Sequence, residues 1–271
     1  MEKSTRKYNK IPIYIVIICI CLYGVQIIFH ASAKSESIDE IAILGFHNVV
    51  KDDEKEAYYK NNMWVESLSS FETKIKYLYD NGYKTITLDQ LKEWKDGTLE
   101  IDNKTIVLTF DDGYYASSYL IAPLLEKYGY TATTFVVGGS LYDGEHTWDA
   151  SSLQYMNLED MKDQHVMKYY SHTYHMHGKE DGKFVLDVRT KEEMQEDINL
   201  QKEFVDTSYF AYPYGHYNEA IIEVLKQNNV KLAFGYNENR KAKRTDDNYK
   251  LTRFAVTSFT DVETFKAMLE S

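Results

Sequence analysis

From Ile38 onward, short apolar runs alternate with stretches that have the hydrophobic spacing of amphipathic helices. Apolar runs of about four to eight residues bounded by turn signals predict buried strands. The predicted strands are Ile41–Phe46, Lys84–Leu88, Thr105–Phe110, Thr131–Val137, Val166–Ser171, Tyr209–Tyr212, Lys231–Phe234 and Leu251–Val256. Strands that alternate with helical crossovers form parallel sheets, so the pattern predicts an α/β sheet or barrel.

Helix signals lie between these runs. Apolar residues recur at helical spacing after Ser67, a predicted N-cap, and Thr190 with Glu193 forms a capping box. Further helices are predicted over Tyr119–Tyr128, Asn218–Gln227 and Asp261–Leu269. Because no Pro/Gly/Ser-rich linker interrupts the alternation, we expect a single domain over residues 38–271.

Residues 1–33 differ from the rest of the chain. Four basic residues precede an apolar run, Ile11–Phe29, and Ala31-Ser-Ala33 follows it. A basic start, an apolar middle and a small-x-small end are typical of a secretory signal, and the length of the run also suits a membrane anchor. In both cases we expect an extracytoplasmic protein, membrane-anchored or secreted at the cell surface.

Cysteine usage and charge exclude some classes of partner. Cys19 and Cys21 both lie in the apolar run, so residues 38–271 contain no disulfide and no Cys-ligated metal. Without residues 1–33 the chain keeps 27 basic and 41 acidic residues, which argues against nucleic acid or an anionic membrane surface as partner. The charge is compatible with a neutral polymer or with one that becomes cationic.

Two clusters of chemically active residues follow predicted strands. Asp111 and Asp112 lie in Thr-Phe-Asp-Asp-Gly, and His172, His175 and His177 lie in Ser-His-Thr-Tyr-His-Met-His. Each cluster alone would be an ordinary turn or a histidine-rich loop. Together, at the carboxyl ends of parallel strands, one Asp and two His suit a divalent ion and the other Asp suits a base.

These motifs resemble those of the polysaccharide deacetylases with a NodB-type domain, the family-four carbohydrate esterases. Thr109–Gly113 resembles their first motif, Ser171-His-Thr-Tyr their second, and Tyr212-Pro-Tyr-Gly215 a variant of their third. The resemblance covers roughly Ile38 to the C-terminus. It implies a distorted (β/α) barrel and metal-dependent removal of acetyl groups from a glycan.

The resemblance also implies roles for individual residues. Asp111 matches the catalytic base, and Asp112 with His172 matches two metal ligands. The second His ligand is expected to be His177, with His175 as the alternative. The expected metal is one divalent ion, Zn²⁺ first, with Co²⁺ or Ni²⁺ possible on the same ligands.

Two departures bring the chain closer to the branch that acts on poly-β-1,6-N-acetylglucosamine. Ala211 stands where the usual third motif has an Arg, and Leu251-Thr-Arg253 replaces the usual Leu-x-His. In that branch an early His takes the place of the missing acid, and His47 in Gly45-Phe-His-Asn48 matches it. Arg253 is expected to orient Asp111, and the backbone N–H of Tyr214 to stabilise the oxyanion.

The resemblance therefore implies an N-deacetylase of a β-linked N-acetylglucosamine polysaccharide, first of all poly-β-1,6-N-acetylglucosamine, with that polysaccharide as its substrate partner. Peptidoglycan or chitin-type deacetylases and xylan O-acetyl esterases would share the metal site. An inactive glycan-binding protein on the same scaffold is the alternative from another class. Trp148 is a candidate wall of the site, although a packing role is the better explanation of this residue.

Overall fold

A computed structural model describes residues 38–162 and 165–270. Residues 38–271 form one compact unit. The predicted signal or anchor segment, residues 1–33, lies outside the described residues. Within the described part of the chain, no helix is long and apolar enough to cross a membrane.

Strands and helices alternate along the chain. The strands of the described residues are β1 (Glu40–Phe46), β2 (Asn48–Val50), β3 (Val65–Ser67), β4 (Lys84–Thr85), β5 (Thr105–Phe110), β6 (Ala132–Val136), β7 (Met167–Ser171), β8 (Lys179–Glu180), β9 (Lys183–Phe184), β10 (Asp206–Ala211), β11 (Leu232–Gly235), β12 (Ala242–Lys243), β13 (Leu251–Thr252) and β14 (Phe254–Ala255). The α-helices of the same residues are α1 (Asp52–Tyr58), α2 (Leu68–Asp80), α3 (Leu88–Lys95), α4 (Ala122–Tyr128), α5 (Val185–Val188), α6 (Lys191–Gln201), α7 (Glu219–Gln227) and α8 (Val262–Glu270).

The main sheet is a nearly closed barrel of parallel strands. Its order is β1-β5-β6-β7-β10-β11-β13, and β14 returns to pair with β1. Only Arg253 separates β13 from β14, so this residue lies where the chain passes from one edge of the sheet to the other. The distorted (β/α) barrel implied by the resemblance is confirmed.

The strands are apolar on both faces because both faces are covered. In β1, Ala42 and Leu44 join one hydrophobic cluster, whereas Ile41 and Ile43 join another. The second cluster includes Trp94 of α3, whose indole N–H donates to the carbonyl of Ile38, 3.1 Å away. Because Ile38 precedes β1, α3 closes the amino-terminal end of the barrel and leaves the carboxyl end for a site.

Several local predictions are confirmed and two are corrected. The Ser67 hydroxyl caps α2 and Thr190 with Glu193 forms a capping box at α6. The predicted strand Lys84–Leu88 is wrong after Thr85, because the Thr87 side chain caps α3 and ends the extended segment. The predicted strand Leu251–Val256 is two short strands, because pairing changes from β11 to β1 at Arg253.

Candidate active site

Side chains from four strand ends meet at the carboxyl end of the barrel. His47 follows β1, Asp111 and Asp112 follow β5, and His172 follows β7. Arg253 lies at the junction of β13 and β14. The carboxyl ends of parallel strands share one rim, so residues far apart in sequence come together there.

Asp112, His172 and His177 form a cluster that fits one metal ion. One potential ligand atom from each residue lies within 4.8 Å of the other two. Oδ1 of Asp112 is 3.1 Å from Nε2 of His177 and 3.6 Å from Nε2 of His172. Two imidazole nitrogens and one carboxylate oxygen are a common donor set for a divalent ion that keeps open positions.

The hydrogen bonds around the cluster support this fit. The ring Nδ1 of His172 lies 2.8 Å from the carbonyl oxygen of Ala211, so Nδ1–H donates to that oxygen and Nε2 keeps its lone pair to bind a metal ion. Oδ1 of Asp112 is buried and makes no hydrogen bond with the described residues. A buried carboxylate oxygen without a hydrogen-bond donor is costly, and a cation at this position would satisfy it.

Electrostatics keep Asp112 ionised. Burial raises the pKa of this carboxyl, but His172 and His177 outweigh burial and hold the pKa well below its ordinary value. An ionised carboxylate is the form that binds a metal ion.

His175 points away from this cluster. Its backbone N–H donates to Oδ1 of Asp197 at 2.7 Å, and its exposed ring lies against Tyr174 and Gly139. Of the two histidines that the sequence left as alternatives, the structure therefore places His177 with Asp112 and His172.

Asp111 is held by three hydrogen bonds. Arg253 donates from Nη1 to Oδ1 at 2.7 Å and from Nη2 to Oδ2 at 2.8 Å, and the Tyr236 hydroxyl donates to Oδ2 at 2.9 Å. Burial raises the pKa of Asp111, yet Arg253 opposes it and the pKa lies below its ordinary value. Asp111 is thus a buried, ionised carboxylate with a fixed orientation.

Sequence reasoning missed Tyr236. It follows β11 at the same rim, but it is one of 24 tyrosines and no motif distinguishes it. Burial raises its pKa well above the ordinary value, so the hydroxyl keeps its proton and donates to Asp111. The signal that could have found it is its position directly after a strand end.

His47 lies near this pair. Its ring is 6.3 Å from the Tyr236 ring and 4.4 Å from the Trp64 ring. Nδ1 of His47 is buried without a hydrogen-bond partner among the described residues. Burial lowers the pKa of His47, and the Asp112 and Asp111 carboxylates oppose that effect without cancelling it.

Two aromatic side chains flank the site on different elements. Trp64 is 41% exposed beside His47, and Tyr214 is 49% exposed with its ring 4.7 Å from that of His177. Trp148, the candidate wall for which a packing role is the better explanation, stacks on Tyr119 and donates from its indole nitrogen to Glu54 at 2.7 Å. The contacts of Trp148 are packing contacts, and Trp64 takes the position beside the site.

The backbone is strained at three residues of the site. Asp112, Thr173 and Tyr214 have φ values of 75°, 71° and 58°, in the left-handed region that non-glycine residues seldom adopt. Thr173 is the most unusual because its Cβ is branched. Such strain occurs at functional sites, where the surrounding structure fixes the backbone.

Comparison with known proteins identifies the family of the domain that contains this site. Residues 99–233 match the family model described as polysaccharide deacetylase. The chain carries a polysaccharide deacetylase domain. The matched residues include both aspartates, the histidine cluster and Tyr214, and the family match makes the protein a hydrolase that removes acetyl groups.

Relatives of the domain extend the match over most of the chain. YxkH of Bacillus subtilis strain 168, assigned to the polysaccharide deacetylases, is 27% identical over 247 residues. The matched region covers 88% of this chain and 79% of the length of YxkH. The poly-β-1,6-N-acetyl-D-glucosamine N-deacetylase of Staphylococcus aureus MRSA252 is 25% identical over 193 residues, 68% of this chain and 65% of its own. The chain therefore matches just under two thirds of the staphylococcal enzyme.

A solved structure supports the fold. The Streptococcus pyogenes deacetylase PplD, solved in complex with acetate, superposes with a TM-score of 0.72 at 22% identity and covers 87% of this chain and 100% of that one. At this identity the likeness concerns the barrel and its strand order.

Proposed function

We propose that the protein is a metal-dependent N-deacetylase of poly-β-1,6-N-acetylglucosamine, the glycan of exopolysaccharide and biofilm matrices. The observation that carries the proposal is the ionised Asp111, clamped by Arg253, beside the Asp112–His172–His177 cluster. A base next to a metal-ligand set is what hydrolysis of an unreactive amide requires.

Asp112, His172 and His177 would hold one divalent ion, with Zn²⁺ proposed first and Co²⁺ or Ni²⁺ as alternatives. Such an ion supplies Lewis acidity, which polarises the acetyl carbonyl and lowers the pKa of water. The Nδ1–H bond of His172 to Ala211 orients its Nε2 towards the other two ligands.

The protein's own residues supply the proton transfers. Asp111 accepts the proton of the attacking water as the oxygen bonds to the acetyl carbon. His47, in its protonated imidazolium form, then donates a proton to the departing nitrogen, because an amine cannot leave as an anion. The backbone N–H of Tyr214 is proposed to donate to the oxygen that becomes negative in the tetrahedral transition state.

The choice of glycan is supported by a relative and by the rim of the site. The Staphylococcus aureus relative is named for poly-β-1,6-N-acetylglucosamine deacetylation. Trp64 and Tyr214 present half-exposed rings on either side of the site, and the apolar face of a sugar ring packs on such surfaces. The acidic chain suits a polymer that becomes cationic as amines are released.

The site is also compatible with other acetylated glycans. Peptidoglycan or chitin-type chains and acetylated xylan would use the same base and ligands. The proposal that the enzyme works outside the cytoplasm rests on residues 1–33, whose basic start and apolar run are typical of export signals and anchors.

Amine release from acetylated oligomers tests the proposal. Protein loaded with Zn²⁺ is assayed on β-1,6-linked and β-1,4-linked N-acetylglucosamine oligomers of equal length, beside an acetylated xylan oligomer. The proposal predicts faster release from the β-1,6 chain. Release from the β-1,4 chain alone, or acetate release from xylan alone, would assign the enzyme to another glycan.

A further inference from the structure

The Tyr236 hydroxyl limits how Asp111 can accept a proton. A carboxylate offers about four acceptor positions, two on each oxygen. Arg253 fills one position on each oxygen, and Tyr236 fills the second on Oδ2. Among the described residues no further donor bonds Asp111, so the remaining position lies on Oδ1.

The Tyr236 ring is held in place from several sides. The Arg253 guanidinium lies 4.2 Å from the ring centroid, and the His47 ring stacks at 6.3 Å with an interplanar angle of 23°. Gly45 and Gly215 make room for it, because a Cβ at Gly45 would overlap the hydroxyl and one at Gly215 would crowd its backbone nitrogen at 2.7 Å. The hydroxyl therefore has little freedom to leave Asp111.

We infer that Tyr236 is a positioning residue that leaves Oδ1 of Asp111 as the atom that accepts the proton from the attacking water. The inference rests on the proposed role of Asp111 as the base. In that step the water O–H bond breaks, its oxygen bonds to the acetyl carbon, and the proton goes to Oδ1. Tyr236 neither gains nor loses a proton in this step. Its hydrogen bond occupies Oδ2 and prevents the carboxylate from rotating.

The test compares Tyr236→Phe with Tyr209→Phe in the full chain. Both changes remove one hydroxyl that donates to a carboxylate, since Tyr209 bonds Oδ1 of Asp89 at 2.6 Å. Asp89 belongs to α3, which closes the opposite end of the barrel, so this control loses the same kind of bond away from the site. Hydrolysis of an aryl acetate ester and of β-1,6-linked oligomers is measured together with zinc affinity and thermal unfolding.

We expect Tyr236→Phe to lower kcat by about tenfold to a hundredfold on both substrates, because a misdirected base loses most of the benefit of its position. KM and zinc affinity should stay within twofold of the wild type, and Tyr209→Phe should keep full kcat. The ester makes the comparison independent of glycan identity, so wild type that cleaves the ester but no glycan contradicts only the proposed substrate.

Two results would overturn the inference. One is a Tyr236→Phe enzyme with kcat within twofold of the wild type on the ester. The other is a loss of kcat that matches a loss of zinc affinity or of folded protein, which would give Tyr236 a structural role only.

Discussion

Replacing Arg253 by Met would leave the Asp111 carboxylate buried without its cation. Asp111 and Arg253 are 2% and 1% exposed, and two charge-assisted hydrogen bonds join them. Removing one partner of a buried pair costs about 3–5 kcal/mol. Because the Tyr236 hydroxyl still donates to Oδ2, we expect a loss near the lower end, about 3 kcal/mol in the free energy of unfolding.

This loss should depend on pH. In the wild type the lowered pKa of Asp111 contributes stability above the unfolded-state pKa of about 3.9, and that stability disappears as pH falls through the folded pKa. In Arg253→Met, burial acts without the opposing cation, so the pKa of Asp111 should rise above its unfolded value. The variant then folds more favourably when protonated, and its deficit should be largest near pH 7 and shrink towards about pH 4.5.

Urea unfolding of chelator-treated protein, followed by far-UV circular dichroism at both pH values, measures this deficit. Arg240→Met is the matched control, because Arg240 makes a bidentate pair with Asp246 while its side chain is 34% exposed. We expect the control to cost about 0–1 kcal/mol. An Arg253→Met cost equal to that of the control, or one that does not change with pH, would refute the electrostatic reasoning.

Two further predictions concern the metal ligands and the rim. His177→Gln should weaken zinc binding at least about tenfold in a chelator competition, whereas His175→Gln, which changes an exposed ring, should leave it unchanged; equal effects would contradict the ligand assignment. Trp64→Ala should raise KM for the oligomers several-fold with a smaller change in kcat, because a stacking contact of about 0.5–1.5 kcal/mol is lost. Trp148→Phe removes the indole N–H that donates to Glu54, so this variant should have a lower free energy of unfolding and an unchanged KM. A larger increase in KM for Trp148→Phe than for Trp64→Ala would show that Trp148, and not Trp64, contacts the substrate.

Much of the barrel could be predicted because its strands are buried on both faces, and such strands appear in the sequence as short apolar runs. β5 is a fully buried strand directly before Asp111, and a parallel arrangement brings its end to the same rim as His47 and His172. Predictions were weakest where segments are short. Thr85 ends a strand after two residues because Thr87 already caps the next helix, and an apolar run does not reveal that change.

The parts of the site that depend on three-dimensional packing could not be read from the sequence. Tyr236 has no motif of its own, and the space for its ring depends on Gly45 in β1 and on Gly215 in the turn after β10. Likewise, the backbone N–H groups of Tyr174 and His175 donate to Asp197 and hold the loop between His172 and His177, and α6 supplies Asp197 from later in the chain. Such contacts join segments that are far apart in the chain, and no sequence motif in either segment indicates that the two meet.

The most direct test of the account measures bound zinc and amine release in parallel for the wild type and Asp111→Asn. Asn has nearly the same shape but cannot take a proton, and the three proposed ligands remain. The account predicts about one zinc per chain in both proteins, with amine release from β-1,6-linked oligomers reduced at least about a hundredfold in the variant. Undiminished release by Asp111→Asn, or wild type that hydrolyses equally well after its metal is removed, would contradict it.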